Sequence, residues 1–200
     1  MSSEDQILKA IWKLNFEKGA ATEEDLGEFK EDLPQLLREG LVERIDSGYC
    51  LSKSGRKKIK VVACGGVFDI LHPGHGFILE KAKELGNLLV VVVARDSTVM
   101  KRKRIPIVPE KQRLEMVRYL KPVDVASLGE ESDYLKIMER IAPDVIVLGP
   151  DQHHNEELIR KELEKRGLKV EVVRIEEYKE APLHSTGDIL KKIMEQGYPK

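Results

Sequence analysis

Two histidines three residues apart form the pair in this sequence best suited to chemistry. His72 and His75 flank Pro73 and Gly74, and the run follows an apolar stretch that ends in two glycines. Residues three apart on a helix share a face, so both imidazoles can turn toward one phosphate group. Pro73 suits the first position of a helix, and Gly74 leaves room for a phosphate beside the backbone. The run therefore predicts hydrogen-bond donors to phosphoryl oxygens that gain charge in a transition state.

The elements that must position this pair are short β-branched runs alternating with helical patterns from residue 60 onward. The strands are predicted at 61–64, 88–94, 123–128, 145–148 and 170–175. The helices are predicted at about 75–85, 110–120, 132–141, 156–166 and 185–195. Such alternation predicts an α/β fold with an open, doubly wound parallel sheet, which binds ligands beyond the carboxyl ends of its strands. The histidine pair then lies at a helix N-terminus on that edge, which favours an anion.

The first 58 residues do not show this alternation of strands and helices, and they form a separate predicted domain. Helices are predicted over 4–18, after Thr22 and over 33–37, followed by two short strands joined at Ser47 and Gly48. Three helices and a β-hairpin resemble a small winged helix-turn-helix domain. The predicted domains are therefore 1–58 and 59–200, with the basic stretch 55–60 as the linker.

The segment from Gly66 to His75 resembles the HxGH nucleotidyltransferase superfamily, and its GxFDxxHxGH context resembles the cytidylyltransferase-like branch. Residues 143–152 and 174–185 are most similar to archaeal-type FAD synthetases. The resemblance implies a Rossmann-like nucleotidyltransferase, in which an acceptor phosphate attacks the α-phosphorus of ATP or CTP in line and pyrophosphate leaves. AMP transfer from ATP to FMN is the favoured reaction. The alternatives are a cytidylyltransferase acting on glycerol phosphate or another phosphorylated alcohol, and a nucleotide-sensing DNA-binding regulator without turnover.

The resemblance also assigns roles to residues after each predicted strand. The catalytic residues it implies are His72, His75, Lys101 and Lys103. The nucleotide contacts it implies are Gly66, Val67, Phe68, Asp69, Gly74, Arg113, Asp151, Tyr178, Ser185 and Thr186.

Several of these residues have simpler explanations. The basic run 101–104 could be a solvated surface loop, and Arg113 could be an ordinary residue of a helix surface. Asp151 could serve only as the N-cap of the next helix. Ser185 should cap the last helix whatever else it does.

Two positions depart from the family pattern. Val67 stands where the family usually has threonine or serine, so a hydroxyl near the phosphates is missing. The chain also lacks the cysteine that the FAD synthetases tend to carry near Ala181. Its two cysteines, Cys50 and Cys64, form no metal motif, and Cys64 is predicted to be a small buried apolar residue.

The five histidines match no compact metal motif, so no protein-held metal is predicted. The expected cofactor is a divalent cation, Mg²⁺, carried by the nucleoside triphosphate.

The bulk composition limits the partners. The chain has 34 basic and 35 acidic residues, a net charge of −1, which gives no overall electrostatic footprint for nucleic acid or a membrane. Residues 1–58 hold ten basic and twelve acidic side chains, and the third helix is acidic, so DNA binding is possible but protein contact is favoured. No apolar run is long enough for a membrane span. The protein is expected in the cytoplasm, and a homodimer is the default expectation for its assembly.

Overall fold

The computed structural model describes residues 3–101, 105–131, 133 and 135–197. The chain divides into two compact units, Met1–Lys60 and Val61–Lys200. No helix of the described residues is long and apolar enough to cross a membrane.

The first unit contains short helices and one hairpin. Its elements are α1 (Ser3–Lys18), α2 (Glu23–Leu26), a 3-10 helix (Gly27–Glu31), α3 (Leu33–Arg38), β1 (Val42–Ile45), β2 (Gly48–Leu51) and α4 (Lys53–Lys57). β1 and β2 pair antiparallel, as the turn residues between them predict. The three helices and the hairpin are thus confirmed as elements, whereas the winged helix-turn-helix assignment stays a prediction.

Local signals and a few long-range contacts fix this unit. Thr22 and Asp25 form a reciprocal cap, in which each side chain accepts a hydrogen bond from the other residue's backbone N–H at 3.2 Å. Asn15 on α1 donates to the carbonyl of Tyr49 at 2.9 Å and accepts from the amide of Leu51 at 3.1 Å. Helix α1 is therefore bonded directly to strand β2.

The predicted linker at 55–60 is wrong. Ser52 caps α4 by accepting hydrogen bonds from the amides of Ser54 and Gly55. Gly55 is buried so closely that a Cβ atom there would stand 2.0 Å from the carbonyl oxygen of Leu41, and Ile59 is buried too. The basic side chains gave this segment the composition of a linker, but its small and apolar residues pack into the first unit.

The second unit alternates strands and helices. Its strands are β3 (Val61–Gly66), β4 (Leu88–Val93), β5 (Val125–Leu128), β6 (Val145–Leu148) and β7 (Glu171–Arg174). Its helices are α5 (Pro73–Glu84), α6 (Asp96–Met100), α7 (Glu110–Arg118), α8 (Lys136–Ile141), α9 (Glu156–Lys165) and α10 (Thr186–Gln196). The predicted strands and helices all form, and α6 is an addition to them.

All five strands are parallel, in the order β5-β4-β3-β6-β7. Every residue of β4 is buried, which explains its unbroken apolar sequence. In chain order, β4 and β5 are added on one side of β3, and β6 and β7 are then added on its other side. The predicted doubly wound sheet is therefore confirmed, with its topological switch point between β3 and β6, where such sheets bind ligands.

Candidate active site

The turn that follows β3 is held in an unusual backbone conformation. Phe68 has a positive φ of 52° and a buried side chain. A Cβ atom on Gly66 would stand 2.8 Å from the Phe68 ring, so this position requires glycine as the turn stands. The strained residue and the close approach together shape the entry to α5.

The two histidines meet where α5 begins. His72 is the N-cap, Pro73 is the first helical residue, and the His75 amide donates to the His72 carbonyl at 3.0 Å. The two imidazole rings lie 3.8 Å apart between centroids, and the Phe68 ring lies 5.2 Å from that of His75. The predicted placement of the pair at a helix N-terminus is confirmed.

His72 lies in an environment that disfavours its charged form. Burial lowers its pKa, and the neighbouring His184 lowers it further, while Asp151 and Asp188 act in the opposite direction. Among the residues that the structure describes, Nδ1 of His72 is buried without a hydrogen-bond partner. His72 follows β3, and the groups that influence its imidazole follow β6 and β7, so three strand ends converge here.

Asp69 connects the turn to the segment that follows the basic run 101–104. Its buried carboxylate accepts hydrogen bonds from the amides of Ile107 and Val108 at 3.0 and 2.9 Å. Asp69 therefore positions the end of this loop beside the histidines.

Arg113 lies behind the same loop, with no exposed surface. Its guanidinium donates to the carbonyl of Val108 at 2.8 Å, the carbonyl of Ala94 at 2.8 Å, the carboxylate of Asp96 at 2.6 Å and the carbonyl of Val67. This placement does not favour the predicted direct contact with a triphosphate. The side chain instead joins the turn after β3, the end of β4 and the end of the basic loop.

The basic loop itself is described only at its start. Lys101 is exposed, and its ammonium donates to the carbonyl of Glu131 at 3.1 Å. Lys103, the other predicted catalytic lysine, lies outside the described residues.

The loop after β6 lies across the switch point from the histidine turn. Gln152 donates to the carbonyl of Gly65 at 2.7 Å and so bridges the ends of β3 and β6. Asp151 is exposed, and the N-cap of α9 is Asn155, which accepts from the Leu158 amide at 3.0 Å. The explanation of Asp151 as a plain helix cap is therefore wrong.

Arg174, at the end of β7, organises this loop and was not among the predicted site residues. Its guanidinium donates to the carbonyls of Gly149, Gln152 and His154 at 2.9, 2.7 and 2.7 Å. It also pairs with the carboxylate of Glu156 at 2.7 Å. The sequence signal that could have identified Arg174 is its position at the end of a strand, because the strands of this sheet end at the site.

The N-terminus of α10 meets that of α5. Ser185 caps α10 as predicted, since it accepts from the Asp188 amide at 3.0 Å, and Thr186 is the first helical residue. The carbonyl oxygen of the preceding His184 lies 3.1 Å from the point where a Cβ atom on Gly74 would stand. Tyr178 lies on the connection before α10 with an exposed side chain.

Two other features bear on metal and thiol chemistry. Among the described residues, no group of three or more histidine, cysteine, aspartate or glutamate side chains could hold a metal ion. Burial raises the pKa of Cys64 to about 12, so this thiol stays protonated. Cys64 is thus the small buried residue that the sequence predicts.

Comparison with known proteins decides the family. The sequence model described as cytidylyltransferase-like matches residues 63–192, which include the whole histidine turn and the loops after all five parallel strands. The chain belongs to the cytidylyltransferase-like family. Within this family pattern, Val67 keeps a structural role through its carbonyl, which accepts a hydrogen bond from Arg113.

Similar members of the cytidylyltransferase-like group come from archaea. The chain is 59% identical to the FAD synthase of Methanothermus fervidus over 136 residues, which are 66% of this chain and 94% of that protein. It is 58% identical to the FAD synthase of Methanothermobacter thermautotrophicus over 138 residues, which are 68% of this chain and 91% of that protein. The crystal structure of the lipopolysaccharide core biosynthesis protein of Thermoplasma volcanium superposes with a TM-score of 0.59 at 45% identity, covering 60% of this chain and 99% of that one.

Proposed function

We propose that this protein transfers the AMP unit of ATP to FMN, giving FAD and pyrophosphate. The observation that carries the proposal is the 59% identity to a protein named FAD synthase, of which this chain spans 94%. The matched part of the chain includes the histidine turn and its supporting loops, so it is long enough for the complete site.

The chemistry needs positioning rather than a covalent intermediate. A phosphate oxygen of FMN forms a new bond to the α-phosphorus of ATP, and the bond from that phosphorus to the pyrophosphate oxygen breaks. His72 and His75 would donate N–H groups to the nonbridging α-phosphate oxygens, whose charge changes in the transition state. The N-terminus of α5 adds the positive end of the helix dipole. The FMN phosphate is already ionised near neutral pH, so no general base is required.

The remaining predicted residues divide between the two ends of the nucleotide. Lys101 and Lys103 would hold the β- and γ-phosphates, together with the N-terminus of α10 at Ser185 and Thr186. Asp151 and Tyr178 would contact the ribose or the base, since they follow β6 and β7.

A divalent cation fits this site as part of the substrate. The described residues offer no cluster of carboxylates for a resident ion, and Mg²⁺ is commonly bound by phosphate oxygens and water with few protein ligands. The ion would neutralise charge on the departing pyrophosphate. Lys101 would act on the same phosphates.

The test is an assay of pyrophosphate release with ATP or CTP against FMN, glycerol phosphate and inositol phosphate, with FAD measured by chromatography. We expect pyrophosphate and FAD in equal amounts with ATP and FMN. Release with CTP and glycerol phosphate would establish the cytidylyltransferase alternative instead. No release with any pair, together with a salt-sensitive shift of DNA in a gel, would favour the nucleotide-sensing regulator.

For the first unit we infer a role in protein contact, including homodimer formation, in preference to DNA binding. The residues around α3 support this inference: Glu31, Asp32 and Glu39 flank a helix whose one charged residue is Arg38. Carboxylates on a helix that entered the major groove would repel phosphate. Sedimentation of the full chain, with and without duplex DNA, distinguishes the two roles.

A further inference from the structure

An exposed apolar pair borders the histidine turn. Ile105 and Ile107 have 80% and 54% of their surface exposed, on either side of Pro106. Exposed isoleucines scattered singly on a surface need no explanation, but two held close to a reaction site suggest a ligand that covers them.

Ile107 is bonded directly to the active-site turn. The Ile107 amide donates to the buried carboxylate of Asp69 at 3.0 Å, and the following residue, Val108, is bonded through its amide to Asp69 and through its carbonyl to Arg113. Pro106 restricts its own φ and biases Ile105 toward an extended backbone. The backbone at Ile107 is therefore preorganised, which lowers the entropy cost for a ligand that binds there.

The order of the sheet indicates which reactant this surface meets. β4 and β6 lie on opposite sides of β3. The loops after β6 and β7 carry Asp151 and Tyr178, the residues proposed for the ribose or the base of the nucleotide. The isoleucine pair comes from the connection after β4, on the other side of the histidine turn. The ribose and the base would not occupy this side, which the acceptor would share with Lys101, the residue proposed for the β- and γ-phosphates.

We propose that Ile105 and Ile107 form the surface on which the fused ring of the flavin acceptor lies. This inference rests on the proposed function and names the residues that select its acceptor. The isoalloxazine ring is broad and apolar, and a ribityl chain separates it from the phosphate that attacks. A ring surface bonded through Asp69 to the histidine turn matches that arrangement, because the histidines would hold the α-phosphate that the FMN phosphate attacks. Its contact with the ring removes apolar surface from water on both partners.

The test compares the full-length wild type with Ile105→Ser, Ile107→Ser and the double variant. FMN binding is measured by titration of flavin fluorescence, and FAD formation is measured with FMN and ATP varied in turn. Each single change should weaken FMN binding by about tenfold, which corresponds to about 1.4 kcal/mol. The KM for ATP should stay within about twofold, because the isoleucines do not touch the nucleotide. Both side chains are exposed, so folding should be unaffected.

Leu158→Ser is the matched control, since Leu158 is 66% exposed on α9. This control should leave FMN binding unchanged. Ile107→Leu, which keeps an apolar side chain, should bind FMN as the wild type does, in contrast to Ile107→Ser. Unchanged FMN binding in the double variant would overturn the inference, as would an equal loss toward ATP. If the wild type makes no FAD, the proposed function fails, whereas the fluorescence titration still tests the pair. No FMN binding by the wild type would overturn the inference as well.

Discussion

The carbonyl oxygen of His184 lies 3.1 Å from the point that a Cβ atom on Gly74 would occupy, and Nδ1 of His72 lies 3.0 Å from the same point. Gly74 is therefore where the chain leading into α10 packs against the first turn of α5. Two helix N-termini approach each other there, and the positive ends of both helix dipoles favour an anion. A side chain at this position would separate them.

Gly74→Ala should lower kcat by up to about tenfold, because contacts at 3.0 and 3.1 Å require a shift smaller than the displacement of about 1 Å that can cost a hundredfold in rate. The methyl group would push the His72 ring and the His184 backbone apart. Steady-state FAD formation measures the effect, and thermal unfolding shows whether the protein still folds.

Gly76→Ala is the control in the same helix. A Cβ atom there would meet no atom within 4 Å, and alanine in a helix is more stable than glycine by about 0.5–1 kcal/mol. We expect normal activity and a slightly raised Tm. If both alanine variants had the same kcat, the close packing at Gly74 would not matter for the reaction.

Removal of the Arg113 guanidinium should destabilise the protein strongly. Arg113→Met removes the donor of three carbonyls and the partner of the Asp96 carboxylate, and the loss should be about 3 kcal/mol, the lower end for a broken buried pair, because the Asp96 side chain is 33% exposed. Urea unfolding measures the change in the free energy of unfolding.

The matched control for Arg113 is Arg160→Met, because Arg160 is half-exposed and forms a surface pair with Glu157 at 2.6 Å. Its loss should cost no more than about 1 kcal/mol. Comparable losses in the two variants would show that the buried contacts of Arg113 contribute little.

The parts of this fold that the sequence predicts correctly depend on short-range signals. Five β-branched runs mark the parallel strands, and the histidine pair with Pro73 marks the start of α5 without help from the rest of the chain. Ser185 is recognisable as a cap because its partner, Asp188, is three residues away. Each of these features is decided within a few residues.

The parts that sequence reasoning missed depend on contacts between distant segments. Arg113 looks like a residue of an amphipathic helix, and its bond to the Val67 carbonyl, 46 residues away, appears only when the strands are aligned. Gln152 donates a hydrogen bond to the carbonyl of Gly65, 87 residues away, and Arg174 donates to three carbonyls of one loop. The positive φ of Phe68 likewise follows from packing, because phenylalanine has no local preference for it.

Protonation of His72 should couple stability to pH. Burial holds the pKa of His72 below its ordinary value of 6.5 in the folded protein, whereas the unfolded chain keeps the ordinary value. Between the two pKa values the unfolded chain binds more protons, so stability falls as the pH drops through that window. The Tm of the wild type should therefore fall more than that of His72→Gln between about pH 7.5 and about pH 5. Parallel Tm curves for the two proteins would contradict the buried environment of His72.

His75 should carry a large share of the rate. His75→Ala removes one donor to the α-phosphate oxygens, and loss of a single transition-state donor typically lowers kcat by about a hundredfold or more. The ring contacts Phe68 and His72, but His75 is only partly buried, so the fold should remain intact. His75→Gln keeps an N–H donor and should retain part of the activity, and Glu80→Ala, an exposed change on the same helix, should retain all of it. Single-turnover FAD formation separates the chemical step from product release. Full activity in His75→Ala would remove this histidine from the mechanism.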